Sequence, residues 1–137
     1  EIIAEKLARY RRASLARDLY DLAWFASRVF DEALVRRLTV LKVWCDVVDD
    51  GLGTPPFDPE DVLRPRGEGE FRPEAIGYLT TPVDIGGWTR AVERRYSFLR
   101  DMDEFECRAA KCSRGEAWQV RQAIADLGTA GAEGERA

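Results

Sequence analysis

The sequence contains no histidine. Ser-His-Asp triads, Cys-His dyads, HExxH zinc sites and histidine phospho-relays all need an imidazole, so none of these can be built. Cysteine is scarce. Cys45, Cys107 and Cys112 are an odd number, they form no CxxC pair, and without histidine they make a poor metal site. Free thiols in a reducing cytoplasm are the expectation. Long apolar runs are also missing. The longest strongly apolar stretch is Leu22 to Ala26, far short of the roughly 20 residues of a membrane-spanning helix. No signal-peptide pattern opens the chain, so the expected location is the cytoplasm and no membrane partner is expected.

What is present is globular in composition. The 137 residues are 45% hydrophobic and 34% charged, with four Trp and a net charge of −4. That length suits one domain or part of one. The acidic balance argues against coating of nucleic acid by the whole surface, but leaves room for a local basic patch.

Hydrophobic periodicity reads as helix throughout. Ile2, Ile3, Leu7 and Tyr10 recur at helical spacing, and no N-cap residue precedes them, so the first helix begins mid-stride and the chain reads as cut from something longer. Ser14 is the expected N-cap of a second helix with Leu15, Leu19, Leu22, Ala26 and Val29 on one stripe, and Asp31 caps a third that ends at Gly51. These elements form a first block, residues 1–50. Residues 51–74 are rich in Gly, Pro and acidic side chains and read as a connector, with Asp58-Pro59 starting a short helical turn. A second helical block, 75–127, follows: a short helix at Pro73–Leu79, a longer one over Asp84–Arg100, a weaker one over Asp103–Cys112, and a last over Arg114–Leu127 with Trp118, Ile124 and Ala125 facing inward. Residues 128–137 are small and polar and read as a disordered tail. The four Trp each sit among apolar neighbours and read as core anchors rather than stacking platforms.

Lys6 is the odd residue. In helical projection it lies between Ile2 and Tyr10, inside the apolar stripe, where an ammonium is costly unless paired. The short link Arg11–Ser14 favours an antiparallel hairpin. Counted from that bend, Lys6 and Asp21 stand at one level, and Asp18 is one turn nearer. Asp18 and Asp21, at i and i+3, share a face. A cation and two anions therefore converge on a helix–helix seam. One reading is an ion pair that fixes the hairpin. The other is a site in which a lysine holds phosphate and an aspartate holds a proton or a metal. Lys6, Arg9, Arg11, Arg12 and Arg17 occur with no acidic residue between them, a positive field suited to polyphosphate or RNA, or a solvated helix end near its dipole. Arg90, Arg94, Arg95 and Arg100 give a second basic face, either an ordinary exposed helix or a secondary contact for RNA or a protein partner.

The runs EIIAEKLARYRR and LARDLYDLAWF resemble the third and fourth motifs of the AbiEii/AbiGii nucleotidyltransferase toxins, through Glu5-Lys6-Leu7 and Arg17-Asp18-Leu19-Tyr20-Asp21. The likeness covers about the first 30 residues. It implies a mainly α helical bundle, the C-terminal half of a polymerase-beta-like nucleotidyltransferase, linked to abortive infection and toxin–antitoxin pairs. It implies Mg²⁺ and an NTP as cofactors of the complete enzyme, a tRNA 3′ end as acceptor, and an antitoxin or the upstream nucleotidyltransferase half as partner. By resemblance Lys6 contacts the triphosphate with Arg9 and Arg17 nearby, and Asp18 or Asp21 completes the catalytic centre. The family's Gly-Ser…D-x-D motif, which carries the metals, has no counterpart here. No Gly-Ser dipeptide occurs, and Asp101-Met102-Asp103 follows an amphipathic helix instead of a phosphate loop, so it reads as a surface charge cluster. Gly51-Leu52-Gly53 and Gly86-Gly87 likewise follow no convincing strand and are not phosphate loops. The expectation is a fragment that is inactive alone and binds neither cofactor tightly. The alternative is a non-catalytic helical interaction or regulatory module, with a basic RNA-binding module as a third reading.

Overall fold

The computed structural model describes the backbone of residues 1–71 and 83–136, and side chains as far as residue 128. The described residues form helices and turns with no strand among them. The expected short helix at Pro73–Leu79 lies outside the described residues.

Helix α1 spans Ile2–Arg12 and buries Ala4, Leu7, Ala8 and Tyr10. Its last turn carries Arg9, Arg11 and Arg12, which complement the negative end of the helix dipole. Extended backbone at Ala13 and Leu15 turns the chain into α2, Ala16–Phe25. Ser14 does not cap α2. Leu15 holds that position without a side-chain bond, and the Ser14 hydroxyl instead accepts from Arg66 at 3.1 Å. The second helix also stops before Val29, which is fully exposed. Tight bonds from Ala26, Ser27 and Arg28 back to Ala23, Trp24 and Phe25 close its end. Helix α3, Glu32–Trp44, begins as expected, with the Leu34 amide donating to Asp31 at 3.1 Å. It widens into a π-turn at Cys45–Asp49 and leaves through Gly51 at φ +65, the left-handed conformation that suits glycine.

Helix α4 is the short turn Glu60–Leu63 behind Pro59. Helix α5 is Ile85–Arg95, with a 3₁₀ turn at Ser97–Asp101 where the sequence suggested one continuous helix. Helix α6 is Glu104–Ala109 and α7 is Ala117–Arg136. The last helix thus carries its backbone past Leu127, through the segment that the glycines mark as a tail. Alanine and glutamate between those glycines are good helix formers.

Two cores form. Leu7, Tyr10, Leu19, Leu22, Val92 and Leu99 belong to the first, built where α1, α2, α4 and α5 meet. Ala8, Val40, Val43, Trp44, Ala109 and Val120 belong to the second, built by α3, α6 and α7. Helix α1 contributes to both and packs on α2, α3 and α4, so its register is held from several sides. Each fully buried Leu or Val contributes about 1.5–3 kcal/mol relative to exposure. The connector is not a passive link. Phe57 enters the second core, Val62 and Leu63 enter the first, and Gly53, at φ +85, approaches Arg11 so closely that a Cβ there would lie 2.9 Å from its guanidinium.

The tryptophans divide. Trp44 is buried and donates to the Ser113 carbonyl at 3.0 Å, and Trp88 packs edge-on against Tyr20 at 5.3 Å. Trp24 and Trp118 are exposed, so neither anchors the core. On α7 the inward face is Ala117, Val120, Ala123 and Leu127, whereas Trp118, Ile124 and Ala125 are turned to solvent. Val120 is fully buried in the second core, while Ile124 and Leu127 line an open apolar groove with Leu34, Leu38 and Leu41 of α3.

Glu106 is completely buried on α6. Arg36 donates to it at 2.7 Å, Arg37 at 3.1 Å and the Asp103 amide at 2.9 Å. Asp103 in turn caps α6 by accepting from the Glu106 amide at 2.8 Å. Burial works to raise the Asp103 pKa, but the amide and Arg37 outweigh it and hold the carboxyl below its ordinary value. One of its oxygens caps α6 and the other accepts from Arg37 at 2.5 Å. All three cysteines are free. Among the described residues, no helix is long and apolar enough to cross a membrane.

Tyr96 ties α5 to α2. It is fully buried and its hydroxyl donates to the Leu22 carbonyl at 2.8 Å. Burial raises its pKa well above the ordinary tyrosine value, with the nearby Arg95 charge opposing. The folded state therefore retains a proton that the unfolded chain loses. The contribution is complete below about pH 10 and is lost as pH rises beyond it. Tyr10, also raised by burial, acts in the same direction. Urea melts from pH 8 to 11 should show stability falling above about pH 10. Tyr96→Phe should lessen that slope while costing about 1 kcal/mol at neutral pH through the lost hydrogen bond.

Candidate active site at the first helical hairpin

The hairpin of α1 and α2 brings Lys6, Asp18 and Asp21 together. The Lys6 ammonium lies 2.7 Å from an Asp21 oxygen and 4.0 Å from Asp18. Its side chain is 18% exposed, so the amine sits in the seam but keeps an opening to solvent. Helical rise and the short link place the groups at one level, and Leu7 and Leu22 of the same two helices are buried in the first core.

The two carboxylates differ. Asp18 is 1% exposed and both its oxygens are taken: Arg9 donates Nε to one at 2.7 Å and Nη2 to the other at 2.5 Å. This is a bidentate, charge-assisted pair. The bond to Asp18 raises the pKa of Arg9 further. Asp21 is 30% exposed and, among the described residues, is ion-paired with Lys6 alone. Asp18 is built as a support, and Asp21 as the carboxylate that a ligand can reach. Arg9, expected beside a nucleotide, is thus occupied by Asp18. Arg17 stands exposed on α2, with no ion pair among the described residues.

A magnesium ion does not fit this donor set by itself. Arg9 saturates Asp18, Lys6 holds Asp21, and no group of three or more acidic, Cys or His side chains gathers among the described residues. The cluster can bind and position phosphate through a lysine and offer one carboxylate as proton acceptor. The second basic face is partly spent on ion pairs, Arg95 with Glu32 at 2.5 Å and Arg100 with Glu60 at 2.6 Å, while Arg90 and Arg94 are exposed.

Arg66 and Arg11 support the hairpin, and no motif announced them. Arg66 is buried, stacks its guanidinium 3.7 Å over Tyr10, and donates to Ser14 and to the Asp61 carbonyl at 2.6 Å. Burial lowers its pKa from the usual arginine value. Arg11 donates to the Pro56 carbonyl at 2.9 Å and to that of Thr54, and lies 3.3 Å from Asp61. Together they fasten the 51–71 segment to the end of α1. The only cues in the sequence are Arg66 beside Pro65 and Arg11 in a run of basic residues, and neither points to burial.

No family model and no curated protein matches the chain. Among solved structures it is similar to MenT4, a nucleotidyltransferase toxin from Mycobacterium tuberculosis H37Rv, with a TM-score of 0.88 and 56% sequence identity. The likeness covers 91% of this chain and 43% of MenT4, so the chain spans less than half the length of that protein.

Proposed function

We propose that this relative of a nucleotidyltransferase toxin is the helical part of a nucleotide-transferring enzyme, in which Lys6 holds the triphosphate and Asp21 is the working carboxylate. The observation that carries this reading is the Lys6–Asp21 pair, 2.7 Å long and partly open, held from behind by the Arg9–Asp18 clamp. In nucleotidyl transfer a hydroxyl oxygen attacks the α-phosphorus, the bond to the β-phosphate oxygen breaks and pyrophosphate leaves. Such chemistry depends on positioning and charge neutralisation more than on covalent help. An ammonium has three donors, so Lys6 can meet both carboxylates and still offer a hydrogen to phosphate. Asp21 can accept the proton of the attacking hydroxyl. Asp18 acts as a positioning residue through Lys6 and Arg9.

The motif likeness at Glu5-Lys6-Leu7 and Arg17–Asp21 supports the AbiEii/AbiGii, polymerase-beta-like assignment, and with it a tRNA 3′ end as acceptor, an antitoxin as partner and a cytoplasmic setting. Mg²⁺ would be held by the Gly-Ser…D-x-D segment that this chain lacks, which makes the chain inactive by itself. The test is incorporation of labelled NTP into tRNA. This chain alone should give none, and the full-length protein containing such a segment should give 3′ addition. Transfer by the chain alone, or none by the full-length protein with any of the four NTPs, overturns the reading. Asp18, saturated by Arg9, favours the second reading, a non-catalytic helical module stapled by ion pairs, and absence of transfer by the full-length protein would support it.

A further inference from the structure

We propose that the solvent-facing side of α2 is the base-binding surface of this site, with Trp24 as the platform on which the nucleobase stacks. The inference rests on the nucleotidyltransferase reading and adds a residue to it.

Arg17, Asp21 and Trp24 stand at i, i+4 and i+7, so they line one face of α2. Arg28 follows in the turn beyond it. Trp24 is 48% exposed, an unusual amount for a residue that gains most by burial. It contributes to neither core. Its ring is held in place all the same. The Arg28 guanidinium lies 4.1 Å from the ring centroid, and Phe25 meets it at 5.1 Å and an interplanar angle of 81°. An indole that is oriented and half-exposed, with a cation over one face, can stack a base on the part of the ring left to solvent.

Its position supplies the ligand. Residues three apart on a helix have Cβ atoms about 5–6 Å apart. Trp24 therefore stands one turn from Asp21, where the Lys6 ammonium is held at 2.7 Å. A nucleotide with its phosphates at Lys6 spans that turn with its sugar and lays its base on the indole. Arg17 and Arg28, both exposed, flank the path with positive charge. The other exposed tryptophan, Trp118, lies on α7, which packs on α3 and has no such neighbour in the hairpin site. Every base has a π-face, so this contact binds nucleotides with little choice among bases.

The test uses the full-length protein with Mg²⁺ and each NTP in turn. Trp24→Ala should raise KM for the nucleotide about tenfold, the cost of losing one base–aromatic stack, and leave kcat nearly unchanged. Trp24→Phe should restore part of the affinity. Intrinsic tryptophan fluorescence should be quenched by NTP in the parent protein, and the quench should vanish in Trp24→Phe. An unchanged KM in Trp24→Ala, or an equal quench in Trp24→Phe, overturns the proposal and leaves Trp24 as a surface for a protein partner. Lys6→Ala separates the two failures. If it blocks transfer while Trp24→Ala has no effect, only the stacking platform falls. If neither variant matters, the nucleotide site itself falls.

Discussion

Lys6→Ala should reduce nucleotide transfer by the full-length protein by about a thousandfold, with almost no loss of stability. The activity loss follows from removing the cation that sits between Asp18 and Asp21 in the seam. Deleting a single preorganised donor to developing charge costs about 10²–10³ in rate, and this donor carries a full charge. The stability cost is small for a structural reason. Asp18 keeps both bonds from Arg9 when the lysine is gone, and Asp21 is exposed enough to be solvated. A half-buried ion pair of this kind contributes about 1 kcal/mol. Lys6→Arg should recover only part of the rate, because a planar guanidinium does not fit a seat shaped for a compact ammonium. Single-turnover transfer, measured beside urea melts, checks both halves. Undiminished transfer by Lys6→Ala removes the residue from the mechanism. Lost transfer together with a large drop in stability would make it a structural staple.

The second large effect separates the two aspartates. Asp18→Ala should destabilise the fold by about 2 kcal/mol, since it removes a sealed carboxylate with its bidentate bond from Arg9 and leaves the half-buried Lys6 with one acidic partner instead of two. Asp21→Ala should cost about 1 kcal/mol or less but lower kcat at least a hundredfold, the usual loss when a positioned proton acceptor is removed. Two measurements on the same pair of variants decide it: melting in urea, and transfer at a temperature where both remain folded. Full activity in Asp21→Ala ends its role as the working carboxylate. Parent-like stability in Asp18→Ala ends the account of Asp18 as a buried support.

The hairpin was readable because its geometry is local. Lys6, Asp18 and Asp21 lie within sixteen residues, and helical rise with a short link sets which of them face each other. The cap at Asp31 and the exit at Gly51 were readable for the same reason, since capping depends on neighbours in the chain. The role of Arg9 was not. It looks like one more basic residue in a positive stretch, and only the burial of Asp18 turns it into a clamp. Trp24 and Trp118 misled for the opposite reason. Both lie among apolar neighbours along the chain, yet the face each occupies depends on which side of its helix meets α5 or α3.

By itself, then, the order of residues determined the helical class, the bend between the first two helices and the meeting of one lysine with two acids. Those outcomes follow from backbone periodicity over a few turns, which packing elsewhere does not alter. Tertiary structure decided which acid is sealed and which is open, which aromatic rings reach solvent, and that Arg66 and Arg11 bind the proline-rich segment to α1. These depend on contacts between residues distant in sequence, such as Ser14 with Arg66 and Leu22 with Tyr96. Long-range packing assigns each polar group its burial, and burial sets whether a charge serves the fold or remains free for chemistry.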